Sequence, residues 1–76
     1  MSYRVTTYDF NGRPVETGTL RRWTTVRDAL TSGRIRATHY TITDPATNEH
    51  IRSGVIPLTA VGRRLIARSL DGENRT

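Results

Sequence analysis

The side chains best suited to chemistry in this chain are arginines, which supply every cationic group: the sequence has twelve Arg and no Lys. They are also clustered. Residues 20–36 sum to +4 and residues 58–70 to +3, while the rest of the chain sums to −2, which gives the net charge of +5. A planar guanidinium donates two parallel hydrogen bonds to a phosphate or a carboxylate. A GC-rich genome would also encode its cations as Arg, but that does not explain the clustering, which indicates a surface for an anionic partner.

Six arginines are expected to form this surface, three around the first predicted helix and three on the outer side of the second: Arg27, Arg34, Arg36, Arg63, Arg64 and Arg68. If both helices pack on one side of a sheet, their outward faces join into one basic surface that holds a phosphate backbone without reading its sequence. The alternative is that the arginines of the second helix are only the solvated face of an amphipathic helix. Arg68 would then be favourable because it lies near the negative end of that helix.

The other residue types in the chain argue against catalysis. The chain has no Cys, so it offers no thiol nucleophile, disulfide or thiolate metal site. The chain has two histidines, His39 and His50, and the hairpin predicted between them keeps them from forming a ligand pair. No His, Asp and Glu set has metal-ligand spacing, and no glycine-rich phosphate loop is present. We therefore expect no enzyme activity, no cofactor and no metal.

A membrane association is also not expected. No apolar run approaches the roughly 18 residues of a membrane span, and the N-terminus lacks the apolar segment of a signal peptide. The apolar stripe of the second predicted helix is needed to cover the sheet. The sequence therefore predicts a cytoplasmic protein.

The N-terminal third is predicted to be a β-hairpin. Residues 3–10 are rich in aromatic and β-branched side chains, which favour a strand. Asn11-Gly12 is the strongest short signal for a two-residue turn, and a second strand follows from about residue 15 to residue 22. Pro14 lacks an N–H group and should lie on an edge or at the start of that strand.

A short helix over residues 26–32 is predicted next. Thr25 and Asp28 have the spacing of a capping box, and Gly33 fits the left-handed position just past the helix. Apolar residues at i, i+3 and i+4 give this helix one buried face. Trp23 is expected to close the junction between sheet and helix rather than to stack on a nucleic-acid base.

A second hairpin and a second helix complete the pattern. Residues 37–43 and 49–56 alternate as strands around a turn at 44–48, with Tyr40 and Ile42 on one face. The helix, residues 59–70, carries one apolar stripe that should cover the sheet: Leu58, Val61, Leu65, Ile66 and Leu70.

The resulting order, ββαββα, predicts an α+β fold with two β-hairpins in a mostly antiparallel sheet and two helices on one face. We expect one domain, residues 1–70, followed by a frayed tail, residues 71–76. The first functional hypothesis is a small non-enzymatic basic module that binds nucleic acid, DNA or RNA, as an accessory protein. The alternative is a protein-binding inhibitor or adaptor that docks on an acidic surface, as phage or plasmid proteins do on a host factor or defence complex. An exposed strand edge would also allow a homodimer.

Overall fold

The fold has the predicted element order. The computed structural model describes residues 2–32 and 36–73. The elements are β1 (Tyr3–Tyr8), β2 (Pro14–Leu20), α1 (Trp23–Thr31), β3 (His39–Thr43), β4 (His50–Val55) and α2 (Ala60–Glu73). The α+β class and the order ββαββα are therefore confirmed. Within the described residues, no helix is long and apolar enough to cross a membrane.

The four strands form one sheet in the order β2-β1-β3-β4, and every neighbouring pair is antiparallel. β1 and β3 are central, whereas β2 and β4 are edges. In the register of β1 and β3, Val5 lies opposite Ile42 and Thr7 lies opposite Tyr40. Side chains alternate between the two faces of a strand, so these four share one face. All four are buried, because this is the face that the helices cover.

The two hairpin turns depend on backbone positions that favour Gly or Asn. The first turn is longer than the predicted two-residue one, because the Asp9 N–H donates to the Arg13 carbonyl oxygen and the Gly12 N–H donates to the Asp9 carbonyl oxygen. Gly12 alone takes a positive φ there, 79°. In the second turn Asn48 adopts a φ of 62°, as its residue type predicts.

Helix α1 begins at Trp23, earlier than predicted, and the predicted capping box is not formed. No side chain caps this helix, and the Asp28 carboxylate accepts hydrogen bonds from Arg27 instead. The earlier start places Trp23 in the core, where its indole Nε1–H donates to the Leu70 carbonyl oxygen over 2.7 Å. The buried indole, with its donor satisfied, stabilises this earlier start of the helix. The predicted Gly33 position lies outside the described residues.

Helix α2 packs against α1 and runs antiparallel to it, since its last turn meets the first turn of α1. The Thr59 hydroxyl caps the helix by accepting from the Gly62 N–H over 3.0 Å. The helix continues past the predicted end at Leu70 as far as Glu73. Residues 74–76 of the predicted tail lie outside the described residues.

The apolar stripe predicted to cover the sheet is divided in the structure. Leu70 is fully buried and Ile66 packs against the core. In contrast, Leu58, Val61 and Leu65 are 85%, 66% and 62% exposed. The prediction was wrong for these three because α2 turns a different face, centred on Ile66 and Leu70, toward the core.

Candidate binding surface

Arg27 is held in ion pairs within the molecule. Its Nη1 lies 2.7 Å from Asp71 Oδ1 on α2, and its Nη2 lies 3.1 Å from Asp28 Oδ1 on its own helix. The hydrogen bond to Asp71, followed by the one to Asp28, raises the pKa of Arg27 above its ordinary value. This side chain links α1 to α2, and the two carboxylates neutralise its charge.

Arg36 and Arg63 are brought together at the end of the molecule where α1 finishes and α2 starts. Both line a cavity of about 320 Å³, together with Leu30 and Leu58. Arg63 Nη1 donates to the Leu58 carbonyl oxygen over 2.9 Å, which fixes the guanidinium at the rim. Arg34, the third arginine predicted near the first helix, lies outside the described residues.

Arg64 and Arg68 are exposed on the outer side of α2. They are four residues apart and therefore neighbours on the helix surface. Among the described residues, neither has a carboxylate within ion-pair distance. The same helical spacing places Val61 and Leu65 directly beside them. We call this surface the α2 docking face; it consists of Leu58, Val61, Arg64, Leu65 and Arg68.

Arg52 is a cation whose position sequence reasoning did not single out, because it lies in a segment of net negative charge. It sits on β4 opposite Ile42, which places its side chain on the helix-covered face. Its guanidinium donates to the Tyr40 hydroxyl over 3.2 Å and to Ser69 Oγ over 2.6 Å. The alternation of side chains between the two faces of β4 was the sequence signal that could have predicted this position. Arg52 links the sheet to α2, so it has a structural role.

The two histidines lie at opposite ends of the β3–β4 pair. His39 is opposite Val55, and His50 is opposite Thr43. Thr38 Oγ1 lies 2.8 Å from His39 Nδ1. In the part of the chain that the structure describes, no group of three or more His, Asp and Glu side chains could hold a metal ion.

Comparisons with protein-family models, with curated proteins and with solved structures found no match to this chain. Its function therefore has to be inferred from its own residues. Those residues separate into arginines that hold the fold together, Arg27 and Arg52, and exposed arginines beside uncovered apolar side chains on α2.

Proposed function

We propose that this chain is a small non-enzymatic binding module that docks on an acidic protein surface through the α2 docking face. One observation carries the proposal. Leu58, Val61 and Leu65 are between 62% and 85% exposed. On the helix surface, Val61 and Leu65 lie beside Arg64 and Arg68, which have no carboxylate partner among the described residues.

The apolar half of this face favours a protein over a polyanion. Large apolar side chains gathered on one exposed stripe are typical of interaction sites. Covering each of these three side chains would contribute about 1–2 kcal/mol to binding. A phosphate backbone offers Leu65 nothing to pack against, whereas a protein groove offers apolar contact area.

The charged half of the face selects an acidic partner. Carboxylates around an apolar groove would pair with Arg64 and Arg68, and the net charge of +5 would speed the encounter. Arg is also enriched at protein interfaces. The function supported best is thus that of a protein-binding inhibitor or adaptor that docks on an acidic surface.

The test begins with affinity purification of the tagged protein from the cells that encode it, followed by identification and purification of its partner. Calorimetry then measures the dissociation constant for the wild type, for Leu65→Ser and for the double variant Arg64→Gln/Arg68→Gln. Each variant should weaken binding by about tenfold or more, since central interface residues contribute more than about 1 kcal/mol. Val15→Ser, at an exposed position on β2, is the matched control and should bind normally. An identified partner that binds Leu65→Ser as tightly as the wild type would disprove the proposal.

Nucleic-acid binding is the second candidate function. It is favoured by the path of Arg36, Arg63, Arg64 and Arg68, which leads from the cavity at one end of the molecule along α2. Labelled duplex and single-stranded DNA and RNA should be titrated at several salt concentrations. Contact with three or four phosphates predicts a slope of log K against log salt of about −2.7 to −3.6 on duplex DNA. Arg64→Gln/Arg68→Gln would weaken that binding and Leu65→Ser would not, so the same two variants distinguish the candidates.

A further inference from the structure

A groove separates α1 from the edge strand β2, away from the α2 docking face. It has a volume of about 510 Å³ and is open along one side. Val5 and Leu20 line the strand side of the groove, and Thr25, Ala29 and Ser32 line its helix side. The groove lies between α1 and strands β1 and β2, which are the two strands that α1 contacts.

Gly18 keeps this groove open. It lies opposite Val5, so a side chain at position 18 would point toward the helix-covered face of the sheet. A Cβ atom built there has no neighbour within 4 Å, and the backbone does not require glycine. The missing side chain leaves space that any other residue type would fill.

The backbone of β2 is available along the same groove. β2 is an edge strand that pairs with β1, and all its residues before Leu20 are exposed. Alternate N–H and C=O groups of an edge strand point away from the sheet without a partner. An extended peptide can pair with such an edge, and every second side chain of the peptide then enters the neighbouring groove.

The charge of the groove is opposite to that of the whole protein. Glu16 and Asp28 line it, and among the described residues no arginine does. Asp28 Oδ1 is paired with Arg27, whereas Glu16 has no ion pair in the described part of the chain. In a chain of net charge +5, this groove offers carboxylates to a cationic side chain.

We propose that this groove binds an extended peptide, which adds to β2 as a fifth strand and places a Lys or Arg side chain against Glu16. An apolar side chain two residues from that cation, on the side of Gly18, rests on Val5, Leu20 and Ala29. This interaction is separate from the proposed docking through α2, and either one stands if the other fails.

The probe is a seven-residue peptide with blocked ends. Threonine occupies its odd positions, valine its second and sixth positions, and arginine its fourth. It is titrated into ¹⁵N-labelled protein and followed by amide chemical shifts. The expected shifts lie in residues 16–20 and along the groove side of α1. A matched peptide with glutamate in place of arginine should bind at least about tenfold more weakly, because it would face Glu16 with like charge.

Gly18→Val is the decisive variant. The space at Gly18 and the strand preference of valine predict that the variant folds at least as stably as the wild type. It should nevertheless lose peptide binding, because the isopropyl group fills the groove. Thr19→Val, on the opposite face of the same strand, is the control and should bind normally. Glu16→Gln should remove the preference for arginine over glutamate in the peptide.

Three results would overturn the inference. One is the absence of peptide-induced shifts at millimolar peptide, and another is undiminished binding by folded Gly18→Val. The third is a wild-type dimer, detected by sedimentation without peptide, that Gly18→Val dissociates; a second copy of this chain would then be the occupant.

Discussion

The two helices lie on the same face of one sheet, and both carry arginines, yet they use their residues differently. Helix α1 buries Trp23, Val26 and Leu30, and its Arg27 is locked between two carboxylates. Helix α2 buries Leu70 but leaves much of its apolar stripe exposed beside arginines that have no carboxylate partner among the described residues. The two helices thus have similar residue types, but those of α1 stabilise the fold, whereas many of those on α2 remain exposed.

The difference follows from where the contacts to α2 lie. Its C-terminal half accepts the indole hydrogen bond of Trp23 at Leu70, the ion pair of Arg27 at Asp71 and the guanidinium of Arg52 at Ser69. Its N-terminal half is fixed through the loop that precedes it, by Thr59 and by the close approach of Gly62 to Pro57. On the outer side of that half, the Arg64 side chain makes no hydrogen bond or ion pair to any described residue, and Val61 and Leu65 are mostly exposed.

The same substitution, leucine to alanine, made in each helix tests whether α1 and α2 differ in their contribution to stability. Leu30→Ala should lower the free energy of unfolding by about 2–5 kcal/mol, because Leu30 is 1% exposed and its removal leaves a cavity. Leu65→Ala should change it by no more than about 0.5 kcal/mol. Urea denaturation monitored by tryptophan fluorescence measures both. Equal losses would mean that Leu65 belongs to the core, and the α2 docking face would no longer exist.

The contact between the helices is tested next by Trp23→Phe. This change removes the N–H group that donates to the Leu70 carbonyl oxygen and leaves that buried acceptor without a partner. The expected loss is about 1–3 kcal/mol of unfolding free energy. Circular dichroism during urea denaturation is the appropriate probe, since the fluorophore is gone. An unchanged midpoint would show that this bond does not anchor α2.

The two glycines of α2 differ in the space around them, so substituting each one tests how tightly the two ends of the helix are packed. Gly62→Ala should destabilise the protein by about 1 kcal/mol, although alanine favours helices, because overpacking commonly costs about 1–3 kcal/mol. Its Cβ would lie 2.6 Å from the Pro57 Cβ. Gly72→Ala meets no neighbour within 4 Å and should be neutral or slightly stabilising. Thermal melts of the two variants provide the test, and a stabilising Gly62→Ala would contradict the close contact with Pro57.

The smallest expected effect separates the two kinds of arginine. Arg27→Gln should lower the urea midpoint and Arg64→Gln should not, because Arg27 has two carboxylate partners and Arg64 has none in the described part of the chain. Pairing raises the pKa of Arg27 in the folded state, so its contribution is present below the unfolded pKa and disappears only as pH rises through the folded value. The difference between the variants should therefore be the same at neutral and mildly alkaline pH and should shrink with added salt. Identical urea midpoints for the two variants at low salt would show that the ion pairs of Arg27 do not stabilise the fold.

Local sequence patterns predicted much of the fold. Strand alternation predicted that Tyr40 and Ile42 share one face, which is buried in the structure, and Asn48 took the left-handed backbone that its residue type favours. The start of α1 was not predictable in the same way. A capping box at Thr25 is a local preference, whereas the burial of Trp23 depends on Leu70, which lies far along the chain.

The candidate site was less predictable than the fold. Arg27 and Arg64 look alike in the sequence, and both were expected on one basic surface. Their difference depends on Asp71, which the sequence pattern placed beyond the end of its helix. Likewise, the exposed Leu65 and the buried Leu70 belong to the same apolar stripe by spacing alone.

The order of the elements and the two hairpins follow from the amino-acid sequence, because they depend on residues close together in the chain. Packing of the folded chain instead sets which arginines are neutralised, which half of the α2 stripe is covered and where Gly18 leaves a groove. Those outcomes depend on contacts between distant segments, and a rotation of one helix about its axis exchanges buried side chains for exposed ones without changing any local pattern.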